Sequence, residues 1–151
     1  MTSQDREPAI SDNIPFVTRA LDEIAKHLAL RRPKVFLGFS QGTAMAYRTA
    51  FLSVHQCDGL IALAGDAPSQ EANTSVQAAS ALAIPRVLIG RGVNDTWCDE
   101  SKLEIDVARL TGMGSRVETC VFDGLHEWTD AFRSAAADFL RELLGTCHDK
   151  T

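Results

Sequence analysis

Apolar residues recur at steps of three and four through Ile14, Val17, Leu21, Ile24 and Leu28, the spacing of an amphipathic helix. Asp12 or Asn13 is placed to cap it, Pro15 suits its first turn, and Arg31-Arg32-Pro33 breaks it. The period then changes. Val35-Phe36-Leu37 is a short unbroken apolar run that reads as a buried strand, and an Ala-rich helix follows over 41–54. Leu60 to Ala64 reads as a second strand, 69–82 as a weak helix and 86–90 as a third strand. A helix over 99–110 places Leu103, Val107 and Leu110 on one face, and Gly112 and Gly114 end it. A fourth strand covers 116–122. The last helix, 127–144, turns Trp128, Phe132, Ala135, Phe139 and Leu143 inward, with Gly145 where a C-cap glycine belongs.

Strands that alternate with helices imply crossover connections and a parallel sheet covered by helices. The expected fold class is therefore α/β, with a mainly parallel four-stranded sheet and flanking helices. One domain over 13–146 is expected, preceded by an extension over 1–12 and followed by a tail over 147–151. A chain of 151 residues is long enough to bury a core without staples.

Composition narrows the function classes. Apolar residues make up 45% and charged residues 23%, ordinary values for a globular protein. A net charge of −5 argues against a nucleic-acid partner or an anionic membrane surface. The one basic cluster, Arg31, Arg32 and Lys34, fits a helix C-terminus better than a phosphate grip. The polar start MTSQDREPAI has no apolar signal core, and no apolar run approaches a membrane span. Cys57, Cys98, Cys120 and Cys147 are widely spaced, with no metal-ligand pattern, so neither a metal site nor a disulfide framework is expected. They read as reduced thiols of a cytoplasmic protein.

Parallel sheets carry their functional groups in the loops at the C-terminal ends of the strands. Those loops hold Ser40 after the first strand, Asp95 after the third and His126 after the fourth. A serine hydroxyl becomes a useful nucleophile when a histidine takes its proton and a carboxylate orients that histidine. Ser40 lies in Gly38-Phe39-Ser40-Gln41-Gly42, a turn between strand and helix that lifts the hydroxyl above the sheet. Gly38 and Gly42 are read as positions where strand and helix backbones pass too closely for side chains. The helix N-terminus and the Gln41 amide face any developing oxyanion. His27, His55 and His148 read as surface residues, and Cys98 as a wall thiol. Asp123 is a rival acid that sits too near His126 in sequence.

The motif GFSQG, with RVLIGRGVNDTW and VETCVFDGLHEW behind it, resembles the phospholipase/carboxylesterase branch of the α/β-hydrolases, close to acyl-protein thioesterases. The resemblance runs from about residue 14 to 145. It implies Ser40 as nucleophile, His126 as general base and then acid, Asp95 as its orienter and the Gln41 N–H as an oxyanion donor. It implies a small ester as substrate, with an acyl thioester as the alternative, and no cofactor. Trp97, Leu125 and Trp128 are candidates for the substrate pocket. Thr43 departs from the branch, which often has another glycine there, and so does Trp97-Cys98, where small or aliphatic residues and proline are usual.

The family fold has about eight strands, and its nucleophile follows the fifth. Here the serine follows a single helix, so the chain matches a shortened α/β-hydrolase core that lacks the first four strands. The loop that gives the second oxyanion amide belongs to the missing part. The strand over 35–37 would then be a sheet edge, which natural proteins cover. A homodimer covering that edge is the expected remedy. A non-catalytic remnant with a binding or assembly role, or one piece of a larger hydrolase, is the competing reading.

Overall fold

Four strands and four helices follow the expected alternation in a computed structural model, which describes residues 6–27, 33–52, 57–68 and 85–148. In chain order they are α1 (Arg6–His27), β1 (Val35–Phe39), α2 (Gln41–Leu52), β2 (Gly59–Leu63), β3 (Arg86–Gly92), α3 (Glu100–Gly112), β4 (Val117–Phe122) and α4 (Asp130–His148). The strands form one sheet in the order β1-β2-β3-β4, every neighbouring pair parallel. The α/β class and the mainly parallel four-stranded sheet with flanking helices are what the alternation predicts. The weak helix over 69–82, and residues 28, 53, 54 and 55, lie outside the described residues.

Side chains alternate across the strands and build a core on each face. Leu60, Ala62, Val87 and Ile89 pack with Ala46, Tyr47 and Ala50 of α2 and with Leu103 and Leu110 of α3. Ile61, Leu63, Leu88 and Phe122 pack with Phe132, Ala136, Phe139 and Leu143 of α4. β2 is buried along its whole length, as expected for an interior strand of a covered parallel sheet. Arg86 fastens the far end of the sheet. Its guanidinium meets Glu118 of β4 at 2.5 Å and Glu142 of α4 at 2.7 Å, and lies 5.4 Å from the centre of the Phe139 ring.

Several helix ends differ from the pattern. α1 begins at Arg6 and runs through Pro15, so residues 6–12 belong to it and the proline is interior. The missing proline N–H removes one helix bond without ending the helix. Ile24, on the apolar stripe, stands half exposed, because α1 rests chiefly on α2. α4 begins at Asp130, not at Glu127, because Thr129 caps it: its hydroxyl accepts the Phe132 N–H and its carbonyl the Arg133 N–H. The same helix continues past Gly145, which is therefore an exposed interior residue and not a cap. Gly114 does hold the expected role. It takes φ 94° after α3, with Gly114 N–H on Thr111 O and Ser115 N–H on Leu110 O. Asp99 caps the start of α3 by accepting the Lys102 N–H.

Candidate active site

β1 ends at Phe39 and α2 begins at Gln41, leaving Ser40 alone in the turn. Ser40 has φ 55°, a left-handed conformation that a residue with a side chain holds only when its surroundings impose it. The surroundings do. Leu63 O of the neighbouring strand accepts both the Ser40 N–H at 2.9 Å and the Thr43 hydroxyl at 3.1 Å, and Ser40 O accepts the Thr43 N–H at 3.0 Å. Thr43 is fully buried, so the threonine that departs from the family pattern bolts the turn to β2.

The two flanking glycines are not equivalent. A Cβ at Gly38 would lie 2.5 Å from Thr43 Cα and 2.6 Å from Gly42 O, so only glycine fits. A Cβ at Gly42 would meet nothing within 4 Å. The close-packing reason expected for Gly42 does not hold among the described residues, because β1 is the sheet edge and no further strand stands beside the start of α2.

The loops after β3 and β4 deliver the other two groups. Asp95 is buried, and its Oδ1 accepts the backbone N–H of Trp97 at 2.8 Å and of Cys98 at 3.1 Å. Its Oδ2 lies 2.9 Å from Nδ1 of His126. Burial disfavours the carboxylate, but those two N–H groups and the His126 ring outweigh it and hold the Asp95 pKa below the ordinary range. An ionised carboxylate only accepts, so Nδ1 carries the hydrogen, and in the neutral ring Nε2 keeps its lone pair. Nε2 lies 2.8 Å from Ser40 Oγ, placed to accept the hydroxyl proton. The Phe39 ring, 5.2 Å from the imidazole centre, backs His126 on one side. Asp123, the rival acid, is exposed.

The remaining candidates separate. Gln41 opens α2, and a first-turn N–H has no acceptor within its own helix. Trp97 contributes main chain to Asp95, while its side chain is 74% exposed. Leu125 is also exposed, beside His126, with its N–H on Glu127 Oε1. Trp128 precedes α4 and packs against Phe39 at 6.3 Å and Phe132 at 5.2 Å. Cys98 is buried, and burial, with Asp66 and Asp95 nearby, pushes its thiol up to about 11, which keeps it protonated. His27 is exposed.

The model of the phospholipase/carboxylesterase family matches residues 1–144. The chain belongs to that family. Solved structures agree with this phospholipase/carboxylesterase assignment at the level of the fold. The chain is similar to esterase PE8, with 25% identity and a TM-score of 0.72, covering 86% of this chain and 60% of that one. It is similar to the Bacillus cereus carboxylesterase, with 20% identity and a TM-score of 0.72 over 91% of this chain and 63% of that one. Arabidopsis thaliana SOBER1 gives 20% identity and a TM-score of 0.76 over 91% and 66%. The chain thus spans between 60% and 66% of the length of these relatives. No curated protein sequence matches it. Among the described residues no helix is long and apolar enough to cross a membrane.

Sequence reasoning singled out the three polar groups because each follows a strand in a fold that keeps chemistry at strand ends. It missed Phe39 and the Thr43 hydroxyl. Phe39 stands inside the GFSQG motif, but its contact with the imidazole depends on a loop far away in sequence.

Proposed function

We propose that the chain is a serine carboxylesterase acting on small, short-chain acyl esters. The observation that carries this reading is the unbroken line Ser40 Oγ–His126–Asp95, at 2.8 and 2.9 Å, with Ser40 held at φ 55°. Ser40 Oγ attacks the ester carbonyl carbon as its proton passes to Nε2 of His126. The tetrahedral oxyanion forms over the start of α2, where the Gln41 N–H donates to it. Collapse breaks the carbon–oxygen bond of the leaving alcohol, which takes the proton from His126, and leaves an acyl group on Ser40. Water then attacks the acyl carbon, giving its proton to His126, and the acid departs as Ser40 regains its hydrogen. Asp95 stabilises the imidazolium in both halves without taking the proton.

The exposed apolar side chains of Trp97 and Leu125 flank the His126 loop and would form the rim that receives the acyl or alcohol group. An acyl thioester fits the same sequence of steps. The described cysteines, Cys57, Cys98 and Cys120, are free thiols, in keeping with the cytoplasm. The domain expected over 13–146 would act as one unit, with α1 carrying it back to Arg6 and α4 on to His148. A second copy of the chain would cover the β1 edge and complete the oxyanion site.

A fluorophosphonate probe tests the reading. Covalent labelling that is lost in Ser40→Ala, together with hydrolysis of p-nitrophenyl acetate lost in the same variant, is the expected result. An unlabelled native protein overturns it in favour of a binding or assembly protein on a hydrolase fold.

A further inference from the structure

Among the described residues, two residues other than glycine have positive φ: Ser40 at 55° and Ala64 at 53°. They are neighbours. Phe39 pairs with Leu63 in the parallel register, so Ser40 and Ala64 are the next residues beyond the two strand ends. A Cβ at Gly65 would lie 2.5 Å from Ser40 O and 2.8 Å from the Thr43 side chain, so the chain after β2 passes directly behind the serine turn. Two strained residues back to back persist only where the structure around them leaves no alternative.

α3 supplies that constraint. Asp106 is buried, and its Oδ2 accepts the Ala67 N–H at 2.7 Å. Arg109 donates to Pro68 O at 2.7 Å and Ala67 O at 2.8 Å, and meets Asp106 Oδ1 at 2.6 Å. Beyond each other, both groups therefore bind main chain of the 64–68 loop. Lys102, one turn earlier, pairs with Asp66 at 3.3 Å and donates to Trp97 O at 2.5 Å, joining the same loop to the one that carries Asp95. Burying an ion pair gives little net stability, so its use on three main-chain groups of Ala67 and Pro68 points to holding a conformation.

We infer that Asp106 and Arg109 are positioning residues for Ser40, acting through the 64–68 loop. This rests on the hydrolase reading above. The clamp fixes Ala67 and Pro68, the fixed loop keeps Gly65 against Ser40 O, and Ser40 keeps the φ that aims Oγ at Nε2. Displacement of a reacting atom by about 1 Å can cost on the order of a hundredfold in rate.

The test separates reactivity per site from the number of intact sites. Fluorophosphonate labelling of the full chain gives a rate constant, and its end-point gives the fraction of competent serines. Arg109→Ala is expected to lower the rate constant by about tenfold to a hundredfold, with an undiminished end-point. Arg109→Lys is expected to fall between it and the native protein, because one ammonium cannot span two carbonyls as the guanidinium fork does. Asp106→Asn should follow the same direction, while Arg133→Ala, which removes a guanidinium paired with exposed Asp130, keeps the native rate. A lower end-point with an unchanged rate constant would mean that the clamp only holds the fold together, and overturns the inference. So would a native rate in both Arg109→Lys and Asp106→Asn, even if Arg109→Ala does not fold. Native labelling that is lost in Ser40→Ala shows the hydrolase reading standing in either case, so the two ideas can fail separately.

Discussion

Gly38 and Gly42 stand two residues before and after Ser40, yet they answer to different constraints. Alanine at 38 drives a methyl into the Thr43 backbone, so Gly38→Ala is expected to lose about 1–3 kcal/mol in urea unfolding and to displace Ser40 as well. Alanine at 42 enters open space at the start of a helix, and Gly42→Ala is expected to gain about 0.5–1 kcal/mol. Asp95 gives a test in pH. Its pKa is lowered in the folded protein, so its contribution to stability is complete above the ordinary carboxylate value of about 3.9 and is lost as pH falls through the folded value. Asp95→Asn should flatten that acid-side loss in urea melts, and should slow ester turnover by about four orders of magnitude. The meeting of Ser40, Asp95 and His126 was legible because the strand pattern put each at a strand end. Asp106 and Arg109 were not. An acid and a base three apart on a helix read as an ordinary surface pair, and only the folded loop shows that they grip main chain.

At the level of elements, apolar runs disclose strands more clearly than they disclose helix ends. All four strands lie within two residues of their expected limits; β2 is buried and apolar along its length, whereas β4, VETCVF, is a partly exposed edge. Helix ends depend on which capping group wins. Gly145 reads as a cap but lies inside α4, while Thr129, inside the helix expected over 127–144, caps it. Gly145→Ala is therefore expected to stabilise α4 by up to about 1 kcal/mol in thermal unfolding, where the same change at a left-handed cap would lose stability. Asp99→Ala should cost about 1 kcal/mol by removing the cap of α3, read in the same way. Since α3 also carries the clamp on the 64–68 loop, fraying of its first turn bears on Lys102 before it reaches Asp106.

Across the whole molecule the unusual feature is an edge. β1 pairs with β2 alone among the described residues, its sequence VFLGF carries no charge, and Leu37 is 53% exposed. Edge strands are commonly protected by charge, proline or a covering element. We propose that two copies of the chain pair their exposed β1 edges, which predicts a two-fold dimer in sedimentation at micromolar concentration. Leu37→Lys should shift it towards monomer and reduce esterase activity with it. A native protein that is wholly monomeric and fully active would sink that idea.

The three groups of the site rest on β1, β3 and β4, with β2 between the first two. Ser40 and Asp95 are thus attached to strands that never touch, and His126 closes the gap from a third. One hydroxyl therefore acts as a strain gauge for the sheet. If β1 slides or tilts against β2, the Ser40–His126 bond opens while helices and most of the core stay in place. Under mild denaturant, labelling of Ser40 should fade before the helical signal falls, and the interval between the two would measure how firmly the edge strand is held.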